Sequence, residues 1–134
     1  MGEVQITDIA IPAIFDKEIE NKSNDVYLAK YCPPEIDNQL IGINYKWDIW
    51  SLGVLFFELS KKKHPFDAST GDKVVELISK GSERNDLSVG VIDNIIRGCF
   101  KLKPNLRPSL ANIKKNISNL YDKDDDHNEV VGNT

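Results

Sequence analysis

Apolar residues concentrate in one short run, WDIWSLGVLFFEL at Trp47–Leu59, around which the remaining segments are arranged. Its apolar positions surround a 3.6-residue helix on almost every side, which predicts a buried central helix. The run is too short and too often interrupted by polar residues to span a bilayer. Asp48 lies at its head, where a carboxylate near a core needs hydrogen-bond donors from another segment. Lys61–Lys63 and Pro65 should end the helix, because cations suit a helix C-terminus and proline cannot continue it.

Three further helices are predicted behind this run. Each follows a residue able to cap a helix, namely Ser69 in a capping-box pattern with Asp72, then Ser88 and Ser109. Gly81 ends the first of them. Their inward-facing apolar residues recur at helical spacing; they are Val74, Val75, Leu77 and Ile78, then Val91, Ile92, Ile95, Ile96, Cys99 and Phe100, and finally Leu110, Ile113, Ile117, Leu120 and Tyr121.

The two ends of the chain are patterned differently. Alternation over residues 4–11, broken by Pro12, predicts at most a short β-hairpin. Residues 13–30 are polar and weakly patterned, which indicates a long loop. Tyr31–Glu35 is rigid because of its two prolines. From Asp122 the chain is acidic, which favours a solvated tail over a calcium loop, since neither the EF-hand spacing nor its glycine is present.

Composition limits the class of protein. The 134 residues, 40% hydrophobic and 28% charged, suit one small globular domain. A net charge of −4 argues against a nucleic-acid surface, and Lys61–Lys63 is better explained as a helix end than as a phosphate-binding patch. Two cysteines without a signal peptide indicate a reduced intracellular protein, which we expect in the cytoplasm and not on a membrane. Cys99 should be buried, whereas Cys32 lies in a loop without neighbouring metal ligands.

Five short segments, taken in order, resemble the back half of a eukaryotic protein kinase domain, from its magnesium-binding D-F-G motif to its last helix. The resemblance implies a mainly α fold, the C-terminal lobe of a kinase with a short N-terminal β-hairpin. It implies a partial domain over residues 1–121, an activation segment over 8–35 and an acidic disordered tail over 122–134. The segments are Asp8-Ile9-Ala10, Cys32-Pro33-Pro34-Glu35, Asp48-Ile49-Trp50-Ser51-Leu52-Gly53, His64-Pro65-Phe66 and Leu106-Arg107-Pro108.

The resemblance assigns roles to individual residues. Glu35 resembles the acid of the A-P-E motif, and Arg107 resembles the arginine that pairs with it. Independently, each would be costly to bury alone, since breaking such a pair costs about 3–5 kcal/mol. Asp48 resembles the acid that holds the catalytic loop, and Trp50 is a structural residue of the same helix. Asp8 is the candidate Mg²⁺ ligand, with a strand-ending turn residue as the alternative.

Departures from the family pattern bear on activity. Phosphoryl transfer requires a Gly-rich loop, an ATP-anchoring lysine and a catalytic H-R-D segment, and this sequence contains none of them. We therefore predict no catalytic residue in this chain and no tight binding of the Mg²⁺ and ATP that the family uses. Ile9 and Ala10 replace the aromatic and glycine of D-F-G, and Leu28 stands where Ser/Thr kinases carry threonine.

Two functions remain open at this stage. One is a fragment of a protein kinase, of the Ser/Thr type in its general features, that is inactive without the missing N-terminal half. The other is a pseudokinase-like module that binds a protein partner. A helical domain unrelated to kinases would leave the ordered motifs unexplained. Ser23 is a candidate phosphosite, although an unmodified serine in a polar loop is the better-supported interpretation.

The missing half leads to one structural expectation. The family covers its central helix with elements that precede the D-F-G position. We therefore expect bare apolar surface near Trp50, Val54 and Phe57. For the same reason, Asp48 should lack its usual backbone donors.

Overall fold

The computed structural model describes residues 2, 3, 5, 30–37 and 45–131. Within these residues four α-helices follow one another: α1, Lys46–Lys61; α2, Gly71–Ser79; α3, Val91–Cys99; and α4, Leu110–Val131. Short 3₁₀ turns occupy Pro34–Asp37 before α1 and Pro104–Leu106 before α4. The predicted mainly helical fold is confirmed, whereas the predicted β-hairpin lies outside the described residues. None of the described helices is long and apolar enough to cross a membrane.

Helix α1 forms the centre of the core, as the apolar run predicted. Trp50, Val54 and Phe57 recur at i, i+4 and i+7 and are each 0% exposed, packed among residues of α2, α3 and the connecting loops. Lys62 ends the helix in the left-handed conformation at φ 58°, and its N–H donates to the Glu58 carbonyl. The prediction of bare apolar surface near these three core residues is therefore wrong, because α3 and the loops of the described chain already cover that face.

The opposite side of α1 carries a second apolar stripe. Four residues recur here at i, i+4, i+7 and i+11: the acid Asp48 and the apolar Leu52, Leu55 and Leu59. We call these four residues the outer face of α1. Leu55 is 48% exposed and Leu59 58% exposed, while Leu52 is only partly buried. The helix is thus apolar on two faces but buried on one, which corrects the expectation of burial on every side.

Four aromatic rings fill the space between α1 and α3. Phe66, predicted to enter the core from its loop, is 0% exposed and stacks on Trp50 with ring centroids 5.4 Å apart. Phe100 touches both rings at 5.1 Å and Phe57 at 6.5 Å. Such aromatic pairs add about 0.5–1.5 kcal/mol each to the free energy of simple burial. Cys99 is buried beside them, as its helical spacing predicted.

The helix boundaries differ from the predicted ones at two caps. Thr70, rather than Ser69, caps α2, because its hydroxyl accepts from the Lys73 N–H at 3.4 Å. Gly90 occupies the cap position of α3, while Ser88 donates its N–H and its hydroxyl to the carboxylate of Asp93. Ser88 was predicted to cap α3 by accepting a hydrogen bond from a backbone N–H of the helix. It instead donates hydrogen bonds to Asp93, an acid in the first turn of α3.

The other boundaries follow the sequence signals more closely. Ser109 accepts a hydrogen bond from the Asn112 N–H at 3.2 Å, as its predicted role as the cap of α4 requires. Gly81 follows the end of α2 and has φ 54°, a left-handed conformation that suits glycine and does not continue the helix. Helix α4 continues to Val131, through residues for which the sequence predicted a disordered tail from 122 onward. Extending an existing helix costs much less than starting one, so the packed first half of α4 can support polar turns beyond it.

Replacing Gly53 should test the close approach of α1 and α3. A Cβ at this position would lie 2.5 Å from the Cβ of Cys99 and 3.1 Å from the Phe100 ring. We expect Gly53→Ala to lower the free energy of unfolding by about 1–3 kcal/mol, because the helices would have to separate. Gly90→Ala is the matched control, since nothing lies within 4 Å of its added Cβ, and should cost less than about 1 kcal/mol. Equal losses in urea unfolding would contradict this packing.

Candidate functional site

The best-defined polar site is the ion pair of Glu35 and Arg107, whose residues lie 72 positions apart in the chain. Arg107 Nη1 donates to Glu35 Oε1 at 2.6 Å, and Nη2 donates to Oε2 at 2.7 Å. The side chain of Arg107 is 0% exposed and that of Glu35 is 5% exposed. This two-bond geometry is the strongest form of an arginine–carboxylate contact. The structure thus brings together the two charges that the resemblance assigned as partners.

The remaining donors of Arg107 also have partners. Nε donates to the Lys101 carbonyl at 2.8 Å, and Nη1 donates to the Lys46 carbonyl at 2.9 Å. Nη2 reaches the Leu102 carbonyl at 3.5 Å. The guanidinium lies over the Trp50 ring, 5.0 Å from its centroid. A buried guanidinium requires this degree of satisfaction, because each unpaired buried donor costs about 1–3 kcal/mol.

Backbone contacts close the same junction from the other side. Lys46, the first residue of α1, donates from Nζ to the Arg107 carbonyl at 2.6 Å and to the Pro108 carbonyl at 3.2 Å. Arg107 in turn donates to the Lys46 carbonyl. The start of α1 and the loop before α4 are therefore joined in both directions. Nothing in the sequence around Lys46 links it to residues 61 and 62 positions away, so this contact was not predicted.

The segment that carries Glu35 is positioned by its own sequence. Pro33 is buried and Pro34 begins the 3₁₀ turn that presents Glu35. Proline is favoured at the first position of such a turn, where no N–H donor is needed. Arg107 follows Pro104–Leu106 in an extended conformation and precedes Pro108. Both charges thus stand in short segments that proline restricts, which limits the entropy lost when they meet.

The same N-terminal segment makes three further contacts, two with α1 and one with the loop that follows it. Ser51 Oγ donates to the Tyr31 carbonyl at 3.2 Å, and Tyr31 Oη donates to Glu58 Oε1 at 3.4 Å. Lys30 forms an ion pair with Asp67 at 2.8 Å. These contacts leave no local pattern in the sequence and were not predicted, although Ser51 belongs to the D-I-W-S-L-G helix motif. Residues 30–35 are therefore attached near their start to α1 and the loop after it, and at Glu35 to Arg107 in the loop before α4.

A second charged cluster joins the end of α1 to the start of α3. Asp93 is 6% exposed and accepts from Lys61 Nζ at 2.8 Å and from the Ser88 N–H at 2.7 Å. The hydrogen bond from Lys61, supported by those from Ser88, lowers the pKa of Asp93 to about 2. Lys61, predicted as a helix-end cation, thus acts through a specific partner in addition to the helix dipole.

The other predicted site residues do not form a reaction centre in the described chain. Asp48 is exposed on the outer face of α1, and its carboxylate makes no hydrogen bond or ion pair with any described residue. Trp50 is fully buried beneath Arg107. Asp8 and Ser23 lie outside the described residues. Among the residues that are described, no group of three or more His, Cys, Asp or Glu is arranged to hold a metal ion.

Comparison with known sequences supplies the class to which this arrangement belongs. A sequence model of the protein tyrosine and serine/threonine kinase family matches residues 1–117. The chain therefore belongs to the protein kinase family, and its described helices form part of that family's C-terminal lobe.

Individual relatives are serine/threonine kinases by name. The chain is 31% identical over 117 residues to the probable serine/threonine-protein kinase nek3 of Dictyostelium discoideum. The aligned region covers 82% of this chain and 10% of that protein. It is 30% identical over 126 residues to human serine/threonine-protein kinase Nek5, covering 89% and 17%. It is 30% identical over 118 residues to ppk11 of Schizosaccharomyces pombe, covering 85% and 37%. The chain thus spans well under half the length of these relatives.

Removing the charge of Glu35 should destabilise the fold strongly. In Glu35→Gln the guanidinium of Arg107 stays buried without a counter-charge, so we expect a loss of about 3–5 kcal/mol in urea unfolding. Asp67→Asn is the control, since it breaks a salt bridge whose acid is 73% exposed and should cost far less than the loss of the buried pair. Similar losses for the two variants would show that the buried pair has no special weight.

Acidification should weaken the junction between α1 and α3. The folded pKa of Asp93 lies below its ordinary value, so its contribution to stability is complete above an unfolded pKa of about 3.9 and is lost as the pH falls toward the folded value. We expect the free energy of unfolding to decrease from about pH 5 downward, and to decrease less steeply in Asp93→Asn. Parallel pH profiles of the two proteins would refute the assignment.

Proposed function

We propose that this chain supplies the C-terminal lobe of a serine/threonine protein kinase domain and takes part in phosphoryl transfer only together with the preceding half of such a domain. One observation carries the proposal, the two-bond contact of Glu35 and Arg107. It supports the proposal because it joins the Glu35 segment to Arg107, which itself contacts α1 at the Lys46 carbonyl and the Trp50 ring. The serine/threonine kinases among the relatives support the choice of substrate hydroxyl.

The chemistry explains why the chain alone should be inert. Phosphoryl transfer depends on positioning and electrostatic stabilisation by a phosphate-covering loop, a lysine, an H-R-D aspartate and metal-binding acids. Of these parts the sequence offers only Asp8, in a D-I-A version of the metal-binding motif. ATP and Mg²⁺ would therefore bind where the missing half meets this chain. The described residues contribute the support beneath that site.

The outer face of α1 supports the need for a second polypeptide surface. Leu55 and Leu59 expose apolar side chains, and Asp48 presents at the same face a carboxylate without a partner among the described residues. Apolar residues at successive helical turns beside an acid suit a partner that offers apolar side chains and backbone N–H donors. We assign this face to protein contact, in the cytoplasm, rather than to a nucleic acid or a membrane.

A non-catalytic binding module is the second candidate. Ile9, Ala10 and Leu28 depart from residues that kinases use in chemistry, whereas the Glu35–Arg107 pair is intact. A chain that keeps its supporting pair and loses its reaction chemistry fits a pseudokinase-like function. In that case the outer face of α1 would bind its partner without creating an active site.

Phosphoryl transfer from radiolabelled ATP to a generic protein substrate tests the proposal. We expect no transfer by this chain alone. A fusion with the part of human Nek5 that precedes the stretch similar to this chain should transfer phosphate, and Asp8→Ala should abolish that transfer because the candidate metal ligand is lost. Transfer by the chain alone, sensitive to Asp8→Ala, would overturn the proposal. A folded fusion without activity would favour the binding module.

Variants of the outer face provide the structural control for the same fusion. Leu55→Glu with Leu59→Glu should prevent the two halves from docking, because two carboxylates would be buried unpaired. Val89→Glu is the matched control, since Val89 is 100% exposed on a loop and its replacement should leave transfer unchanged. Loss of transfer in both variants would point to general destabilisation instead of a docking face.

A further inference from the structure

His64 lies where three parts of the described chain meet. Its Nδ1 accepts a hydrogen bond from the Phe66 N–H at 3.0 Å, so the neutral imidazole carries its proton on Nε2. Nε2 is buried and has no hydrogen-bond partner in the described structure. The nearest carboxylate oxygen is Glu58 Oε1 on α1, 3.9 Å away. The side chain of His64 is only 11% exposed.

The imidazole also contacts the N-terminal segment directly. Its ring packs edge-on against the Tyr31 ring, with centroids 5.1 Å apart and planes at 86°. Tyr31 and His64 both lie near Glu58 Oε1: Tyr31 Oη donates a hydrogen bond to this oxygen, and His64 Nε2 lies 3.9 Å from it. Glu58 therefore has two potential donors but only the tyrosine reaches it within hydrogen-bond distance. A change at His64 would be transmitted to Tyr31 through both the ring contact and this shared acceptor.

A second proton would disrupt this arrangement. Protonation of Nδ1 turns the acceptor of the Phe66 N–H into a donor, so two donors would face each other at 3.0 Å. Rotating the ring cannot restore the bond, because both nitrogens of an imidazolium are donors. The new charge would draw Nε2–H toward Glu58 and compete with Tyr31 for its carboxylate. The competition for Glu58 weakens the bond from Tyr31 to α1, and the loss of the Phe66 bond releases the ring that packs against Tyr31.

We propose that His64 is a pH-sensitive contact that holds residues 30–35 against α1 and that weakens this attachment when its imidazole is protonated.

Burial, rather than the surrounding charges, favours the neutral form of His64. Burial is the main cause that lowers its pKa, and the cations Lys30 from the N-terminal segment and Arg84 from the loop after α2 act in the same direction. Glu58 on α1 and Asp67 in the loop before α2 oppose them. Because the folded pKa lies below the unfolded one, the stabilisation is complete above the unfolded value of about 6.5 and is lost as the pH falls through the folded pKa.

NMR titration of the whole chain tests this proposal. The chain has two histidines, and His127→Asn identifies the Cε1–H resonance of His64. We expect its midpoint to lie below that of the same residue in urea-unfolded chain. The Phe66 amide and the Tyr31 ring should titrate with the same midpoint, because both change partner when His64 takes the proton.

His64→Asn is the matched variant, since the asparagine Oδ1 can take the place of Nδ1 as acceptor but cannot titrate near neutral pH. We expect the Phe66 amide and Tyr31 ring resonances of this variant to stay constant over the pH range in which they shift in the wild type. The proposal is overturned if those shifts persist in His64→Asn. It is also overturned if the wild-type midpoint is not lowered by folding, or if Tyr31 does not respond while His64 titrates.

Discussion

The fold depends above all on one buried guanidinium. The side chain of Arg107 is 0% exposed and contacts Glu35, the Trp50 ring and the backbone carbonyls of Lys46 and Lys101. A charge placed this deep is tolerated only when its partners are fixed in advance. Prolines beside both members of the pair supply that fixing. The pair therefore specifies where the N-terminal segment meets α1 and α4 more than it adds net stability.

Helix α1 shows how one element can support two different surfaces. Its inner face of Trp50, Val54 and Phe57 is complete within the described chain, because Phe66 and α3 cover it. Its outer face of Asp48, Leu52, Leu55 and Leu59 has no comparable cover in the described residues. The chain can thus fold its own core while leaving an apolar surface at which a kinase domain would continue. This separation of a finished core from an open face is the physical basis for assigning the chain to part of a domain.

The sequence was most informative where a residue is costly to place elsewhere. The run at Trp47–Leu59 predicted the central helix. The resemblance to kinases predicted the pair of Glu35 and Arg107, and the cost of burying either charge alone agreed with it. Periodicity could not tell which side of an all-apolar helix would be covered, because every side carries apolar residues. The cluster of Tyr31, Glu58 and His64 escaped prediction, since its contacts join distant residues and leave no local pattern. Likewise, the hydroxyl of Ser88 did not indicate whether it would cap a helix or donate to Asp93.

A double-mutant cycle on Glu35 and Arg107 tests the central claim most directly. Each residue is replaced by methionine, singly and together, and the free energy of unfolding is measured for the four proteins. Each single replacement should cost several kcal/mol, about 3–5, because it leaves an unpaired buried charge, whereas the double replacement should cost much less than the sum. Additive losses would mean that the two charges act independently, and that the junction of the N-terminal segment with α1 and α4 does not depend on their contact.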